Sequence, residues 1–226
     1  MINFHLITLF PEACEPYLSS SIIGRARREK KIKVSYQNPR NFSGNKWGKI
    51  DDRPYGGGPG MVMTALPVVK AVSQILTKSG LTKSRNLKSN KRAAVIWFTP
   101  GGKQFTNAEA DKLKKLEKIV FICGRYEGID ERATKILKTL APVKKYSIGP
   151  YTLTGGEVPA LVVIDAITRR LPGVLGKDES VEERRIASRE VYTRPETILW
   201  KEKKYQVPKI LKTGHHAKID SWRSDR

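Results

Sequence analysis

The stretch KYSIGPYTLTGGEVPALVVIDAITRR, residues 145–170, decides the fold prediction. It begins within a predicted strand, 143–148, that ends at Gly149-Pro150, and the chain breaks again at Gly155-Gly156. A helix with an apolar face is predicted next, because Pro159 suits a first helical turn, where the missing N–H costs no hydrogen bond. Glycines at both ends of a loop let backbone groups approach a ligand closely. The stretch is therefore either a ligand-binding loop or an ordinary connection between a strand and a helix.

Strands and helices alternate along the rest of the chain. The predicted strands span residues 4–10, 32–36, 93–98 and 119–123, and the predicted helices span 17–28, 66–76 and 107–117, the last capped by Asn107. Glycine-rich segments follow two of the strands. This pattern predicts an α/β sheet whose ligands bind beyond the carboxyl ends of the strands.

Charge is the strongest compositional signal. The 226 residues include 43 Lys and Arg against 22 Asp and Glu, which gives a formal net charge of +21. Such an excess of positive charge favours a polyanionic partner, most of all a nucleic acid. The alternative is a basic surface that serves only solubility. The basic cluster at residues 25–31 is either a solvated face or a set of phosphate contacts, which position a nucleic acid without reading its sequence.

The cysteines and the apolar runs limit the other possibilities. Cys14 and Cys123, together with three histidines, show no metal-ligand spacing, so the residues themselves predict no metal site. So few cysteines favour a reducing, cytoplasmic location. No apolar run is long enough to cross a membrane, so we expect no membrane partner.

The stretch DDRPYGGGPGMVM, residues 51–63, is predicted to be a loop with unusual backbone angles. Its four glycines and two prolines within 54–60 exclude a helix or a central strand. It lacks the Gly-Lys-Ser/Thr of a P-loop and the spacing of the dinucleotide fingerprint. The charged residues at its mouth form either a structural ion pair or groups that contact a base. The candidate substrate-binding residues in this loop are Asp51, Arg53, Tyr55 and Gly58.

Several motifs resemble one known family. They are LFPE at 9–12, NPR at 38–40, DDRPYGGGPGMVM at 51–63, CGRYEGIDER at 123–132, SIGPYTLTGGEVPA at 147–160, LPGVLG at 171–176, YTRPE at 192–196 and TGHH at 213–216. In this order they resemble the bacterial tRNA (guanine-37-N1)-methyltransferase (TrmD) family over nearly the whole chain. The resemblance implies transfer of a methyl group from S-adenosylmethionine to N1 of guanine at position 37 of tRNA, 3′ of the anticodon.

The resemblance also implies an architecture. It implies a SPOUT-class α/β methyltransferase domain with a C-terminal trefoil knot at residues 1–174, a flexible linker at 175–188 and a small α-helical, tRNA-binding C-terminal domain at 189–226. A knot departs from the usual rule that chains do not thread loops. The resemblance further implies a homodimer and a requirement for Mg²⁺, whose ligands it does not identify here.

The family's donor pocket matches three stretches of this sequence. They contain Pro100 and Gly101, then Gly124, Tyr126, Glu127 and Gly128, then Ile148, Gly149, Pro150, Tyr151, Thr152, Leu153, Gly155, Gly156 and Pro159. Pro150 stands where the family commonly has an aspartate, so we expect donor binding with altered contacts. Trp97 matches no donor contact of the family, and we predict that it is a core residue.

The proposed chemistry requires a base and a cation. A base must remove the proton from guanine N1, and a cation or donor must stabilise the charge that develops on O6. The family's arginine for O6 matches Arg169, whose alternative role is that of an exposed arginine at a helix end. The family's aspartate base falls on Arg184, which cannot accept a proton. Glu183, or else Glu182, is the candidate base, unless both are solvated linker acids.

Two other functions remain open at this point. A catalytically impaired RNA-binding relative would retain the donor site without its base. A basic, ribosome-associated binding module would have no affinity for S-adenosylmethionine at all.

Overall fold

The computed structural model describes residues 1–78, 92–175 and 190–224. Within them the strands are β1 (Ile2–Ile7), β2 (Ile32–Gln37), β3 (Asp51–Asp52), β4 (Val62–Met63), β5 (Ala93–Gln104), β6 (Lys118–Ile122), β7 (Val143–Ser147), β8 (Thr197–Trp200) and β9 (Lys203–Gln206). The α-helices are α1 (Glu15–Leu18), α2 (Ser21–Arg28), α3 (Ala65–Lys78), α4 (Asn107–Leu113), α5 (Arg132–Leu137), α6 (Glu157–Thr168) and α7 (His216–Ser224). The chain divides into two compact units, Met1–Val174 and Leu175–Arg226.

A five-stranded sheet with the order β2-β1-β6-β5-β7 forms the centre of the first unit. Every neighbouring pair in it is parallel, which confirms the predicted α/β class. Parallel strands are buried on both faces, and this explains the unbroken apolar runs AAVIW at 93–97 and IVFI at 119–122.

The two faces of the sheet carry separate cores, because successive side chains of a strand point to opposite sides. In β6, Phe121 packs into one core, to which α2, α4 and α6 also contribute. Val120 and Ile122 pack into the other core, beneath α3 and α5. Helices therefore cover both faces, and the strand ends remain as the place for a ligand.

The prediction of one continuous helix at 17–28 is wrong. The structure has two helices there, α1 and α2, because Ser20 is extended, with φ −101° and ψ 158°, and Ser21 has a left-handed φ of 48°. A side chain at Gly24 would lie 2.1 Å from the carbonyl oxygen of Ser19, so the two helices meet without room for a Cβ.

Helix α4 also differs from its prediction. Its N-cap is Thr106 rather than Asn107, and the Thr106 side chain accepts a hydrogen bond from the Glu109 N–H at 3.4 Å. The helix ends at Leu113, before the predicted end at residue 117. Thr and Asn are both good N-caps, so adjacent candidates are not separated by propensity alone.

The second unit was predicted to be helical, but its described residues contain a hairpin as well as α7. Strands β8 and β9 pair antiparallel around a two-residue turn, in which Lys201 and Glu202 have φ values of 44° and 65°. Such turns usually contain glycine or asparagine, and the sequence Lys-Glu offers no such signal.

Candidate functional site

A cavity of about 1170 Å³ lies at the carboxyl ends of β6 and β7, beside residues 97–100 in the middle of β5. Five segments line it, namely residues 52–55, 62–64, 97–100 and 124–132 and parts of 145–159. Its volume is slightly above the usual range for small-molecule sites, about 300–1,000 Å³. Ligands of α/β folds bind at this edge of the sheet, so the cavity is the candidate site.

The segment after β6 takes its shape from the glycine-rich loop at 51–63. The Glu127 N–H donates to the carbonyl of Met61 at 3.0 Å, and the Met63 N–H donates to the carbonyl of Gly128 at 2.9 Å. A side chain at Gly60 would lie 2.6 Å from the side chain of Glu127. Tyr126 has a left-handed φ of 60°, which is uncommon for a residue with a side chain and is found disproportionately at functional sites. All four donor candidates of this segment line the cavity: Gly124, Tyr126, Glu127 and Gly128.

The segment between β7 and α6 packs against the end of β6. The Gly156 N–H donates to the carbonyl of Gly124 at 3.0 Å, and a Cβ at Gly156 would lie 2.5 Å from the Cα of Cys123. Only glycine allows this approach. Seven predicted donor residues of this segment line the cavity, namely Ile148, Tyr151, Thr152, Leu153, Gly155, Gly156 and Pro159.

Of the remaining residues predicted to bind the donor or the substrate, some line the cavity and others do not. Pro100, Arg53 and Tyr55 line the cavity. Four others are not among its lining residues: Gly101, Gly149, Pro150 and Gly58. Asp51 pairs with Met63 in the β3–β4 hairpin, and its neighbour Asp52 lines the cavity instead.

The structure does not place Arg169 in the cavity wall. Arg169 is the C-cap of α6 and is half-buried, but it is not among the described residues that line the cavity. Glu182 and Glu183 lie outside the described residues. Their roles therefore stay predictions.

A partly buried ion pair that the sequence did not reveal lies beside the cavity. Arg125 Nη2 lies 3.0 Å from Glu157 Oε2, and the Thr8 hydroxyl donates to Glu157 Oε1 at 2.7 Å. The Arg125 guanidinium also lies 4.6 Å from the centre of the Phe10 ring. A buried charge needs such partners. Both members of the pair lie within family motifs, and that is the only signal the sequence offered.

Trp97 and Lys145 form one side of the cavity. Trp97 is buried in the second core, as predicted, and it also lines the cavity. Lys145 Nζ lies 5.1 Å from the centre of the Trp97 ring and donates to Glu131 Oε2 at 2.7 Å. This wall therefore combines an aromatic surface with paired charges.

Cysteine and metal chemistry find no support near this site. Burial raises the pKa of the Cys123 thiol well above its usual value, and burial raises that of Cys14 to about 11. Both remain neutral thiols, which are poor nucleophiles. Among residues 1–78, 92–175 and 190–224, no group of three or more His, Cys, Asp and Glu side chains could hold a metal ion.

No helix in these ranges is long and apolar enough to span a membrane.

A parallel sheet with a glycine-lined cavity beyond its carboxyl edge is typical of α/β proteins that bind ligands at the ends of their strands. The family model described as tRNA (Guanine-1)-methyltransferase TrmD matches residues 2–226. The chain belongs to this family.

Relatives with the name tRNA (guanine-N(1)-)-methyltransferase are similar to nearly the whole chain. A protein from Clostridioides difficile (strain 630) is 40% identical over 228 residues, which cover 99% of this chain and 91% of the relative. One from Buchnera aphidicola subsp. Acyrthosiphon pisum is 42% identical and covers 99% and 88%. One from Haemophilus influenzae (strain PittEE) is 40% identical and covers 96% and 83%.

Proposed function

We propose that this protein transfers a methyl group from S-adenosylmethionine to N1 of guanine at position 37 of tRNA. One observation carries the proposal: residues from two separate family motifs, at 124–128 and 147–159, line one cavity. The names of the relatives support the guanine N1 product. Position 37 rests on the resemblance of the motifs to the family.

The cavity walls fit a donor that is held by backbone groups. A Cβ at Gly102, Gly155 or Gly156 would approach another atom to 2.6 Å or less, so these glycines bring the backbone as close to its neighbours as possible. Residues 148–156 and 124–128 would hold the donor through their N–H and C=O groups. When bound, S-adenosylmethionine supplies an electrophilic methyl group on a sulfonium ion.

The residues of the chain have two tasks in the reaction. Glu183, or Glu182 in its place, accepts the proton of guanine N1, and Arg169 stabilises the negative charge that develops on O6. Single-turnover methylation by Glu183→Gln and Glu182→Gln, with saturating donor and tRNA, tests the base. We expect a loss of rate in one of the two, and near-wild-type rates in both would rule out this assignment.

An exposed apolar surface supports a homodimer. Helix α6 is apolar on nearly all sides, which is typical of a buried helix, yet Val158 and Val162 are exposed in the single chain. Tyr17 and Ile22 of the neighbouring helices are exposed as well. The Tyr17 hydroxyl donates to Asp165 Oδ2 at 2.5 Å, so α1 and α6 contribute to one surface.

The trefoil knot stays part of the proposal. The close passage of Gly156 against Cys123, with its hydrogen bond to Gly124, supports it, because the segment after β7 packs tightly on the end of β6. The predicted domain limits, a cytoplasmic location and the Mg²⁺ requirement also stay predictions. The described residues offer no cluster that fits Mg²⁺, so no step here depends on the ion.

The hairpin of the second unit supports a contact with RNA. Ile198 pairs with Tyr205, and Trp200 pairs with Lys203, so all four side chains lie on one face. Trp200 and Tyr205 are 64% and 54% exposed. Exposed aromatic rings beside lysines suit unpaired bases, which stack on them, and phosphates, which the lysines neutralise.

Two measurements separate this proposal from its alternatives. Calorimetry with S-adenosylmethionine measures donor binding, and transfer of labelled methyl to a tRNA transcript, with the modified nucleotide mapped, measures activity. An active enzyme binds the donor and yields N1-methylguanine at position 37, and a transcript with adenine there stays unmodified. A catalytically impaired relative binds the donor only, and a basic binding module does neither.

A further inference from the structure

The cavity wall contributed by β5 contains an irregularity in its pairing with β7. Phe98 pairs with Tyr146, and Lys103 pairs with the same residue. Residues 99–102 therefore form a bulge within β5, called the 99–102 loop below, and the residues at both of its ends pair with Tyr146. Thr99 and Pro100 of this loop line the cavity. Whatever holds the ends of the loop together also fixes this part of the wall.

A buried carboxylate connects the two strands at the base of this loop. Glu109, in the first turn of α4, is only 5% exposed, although carboxylates are rarely buried without partners. Its Oε2 accepts a hydrogen bond from the Tyr146 hydroxyl at 2.5 Å. Its Oε1 accepts from Lys103 Nζ at 2.8 Å and from Lys112 Nζ at 2.9 Å. One side chain thus ties the end of the loop to the residue on which the loop closes.

The packing around this connection leaves little freedom. A Cβ at Gly102 would lie 2.6 Å from the carbonyl carbon of Tyr146, so the loop returns directly onto the β7 backbone. The Phe105 ring meets the Tyr146 ring edge-on, with 5.7 Å between their centres. Movement of the Tyr146 side chain would therefore move the end of the loop.

The Glu109 carboxylate is ionised at neutral pH. Hydrogen bonds from Lys103, Tyr146 and Lys112 lower the pKa of Glu109 to about 2. Burial, together with the hydrogen bond to Glu109, raises the pKa of Tyr146, so its phenol stays neutral. A hydrogen bond to a charged group is about twice as strong as one between neutral groups.

We propose that Glu109 and Tyr146 are positioning residues for the methyl donor, which hold the 99–102 loop in the shape that binds it. This inference rests on the proposed donor site. Tyr146 also contributes to the cavity lining, but its hydroxyl donates to the Glu109 carboxylate rather than to a ligand. Loss of either polar group should therefore weaken donor binding and leave the chemical step at saturating donor unchanged.

A matched pair at the other edge of the sheet serves as the control. The Tyr36 hydroxyl donates to Glu15 Oε2 at 2.6 Å, and Arg27 Nη1 donates to Glu15 Oε1 at 2.8 Å. This cluster has the same tyrosine, carboxylate and cation, but none of its residues lines the cavity. Tyr36→Phe therefore removes the same kind of hydrogen bond without touching the donor wall.

The experiment compares Tyr146→Phe, Glu109→Gln and Tyr36→Phe in the full chain. Calorimetry measures the Kd of S-adenosylmethionine, methyl transfer gives kcat and the donor KM, and thermal unfolding gives Tm. We expect the two cavity variants to raise the donor Kd and KM about tenfold, which is the equivalent of ~1.4 kcal/mol. Their kcat should stay within about twofold of wild type. Tyr36→Phe should lower Tm similarly and leave the donor Kd unchanged.

Two results would overturn the inference while the proposed function stands. One is a folded Tyr146→Phe protein with the donor Kd of wild type, and the other is an equal rise of Kd in Tyr36→Phe. If Tyr146→Phe does not fold, Lys103→Met takes its place, because the Lys103 side chain is mostly exposed. The Lys103→Met substitution should weaken donor binding about threefold, and an unchanged donor Kd would overturn the inference. A wild-type protein that binds no donor would instead overturn the proposed function.

Discussion

The central sheet of the first unit and the hairpin of the second unit use their aromatic residues in opposite ways. In Met1–Val174, Phe4, Phe121 and Tyr146 are almost fully buried, and the cavity loops pack so closely that Gly156 has no room for a side chain. In the described part of Leu175–Arg226, Trp200 and Tyr205 are mostly exposed. Buried aromatics give a site of fixed shape for a small ligand, whereas exposed rings beside lysines suit RNA.

This difference separates two requirements of the proposed reaction. The donor needs a cavity whose geometry is set before binding, and the sheet edge provides it. The tRNA needs a basic, adaptable surface, and the net charge of +21 and the hairpin supply one. Variants in the first unit should therefore change donor binding or chemistry, and variants in the hairpin should change tRNA binding.

The largest effect is expected at the end of α6. Arg169→Ala should lower the single-turnover methylation rate about 10²- to 10³-fold at saturating donor and tRNA, because the charge on O6 loses its partner. Arg169→Lys is the matched variant, which retains the charge without the planar fork, so it should lose less. A rate within a few-fold of wild type for Arg169→Ala would remove Arg169 from the chemistry.

The next effect tests the fixed shape of the cavity. Gly156→Ala should lower the free energy of unfolding by about 1–3 kcal/mol and weaken donor binding, because the new Cβ meets the backbone of Cys123. The φ of Gly156 is −86°, so the effect is one of space rather than of backbone angle. Gly101→Ala, whose Cβ would meet no atom within 4 Å, should cost far less. Equal losses in chemical denaturation of the two variants would contradict this explanation.

The central sheet could be predicted from the sequence, but its limits could not. Continuous apolar runs such as 93–97 identify buried parallel strands, and glycine-rich motifs mark the loops beyond them. Strand β5 nevertheless continues to Gln104 through a proline and two glycines, because its pairing with Tyr146 resumes after the loop. Helix α5 was not predicted, since its six residues are too few to show a period.

The supporting contacts of the site were beyond the reach of the sequence. Glu109 and Tyr146, like Arg125 and Glu157, are more than thirty positions apart, and only the folded chain brings them together. The motifs identified the cavity segments because a family resemblance records which residues share a site. No pattern within this chain alone would have joined 124–128 to 148–156.

A smaller effect is expected in the second unit. Trp200→Ala should weaken tRNA binding about tenfold and leave the donor Kd unchanged, because one stacking surface is lost. Leu199→Ala is the matched control, since Leu199 is also exposed but lies on the opposite face of the hairpin. Filter binding with a tRNA transcript measures both. If the two variants bound tRNA equally, the aromatic face would not be the RNA contact.

The smallest effect concerns stability against acid. The pKa of Glu109 is lowered from 4.5 to about 2, so its contribution is fully present above pH 4.5 and is lost as the pH falls toward 2. The Tm difference between wild type and Glu109→Gln should therefore shrink over that range. Thermal unfolding from pH 7 to pH 2.5 measures it. A difference that stays constant with pH would mean that the carboxylate is not stabilised in the folded state.

The most direct test of the central claim is a crystal structure of the protein with S-adenosylmethionine bound. We predict that the donor lies in the cavity at the carboxyl ends of β6 and β7, against the backbone of 148–156 and 124–128. A cavity that stays empty at saturating donor, or a donor bound elsewhere on the chain, would contradict the account.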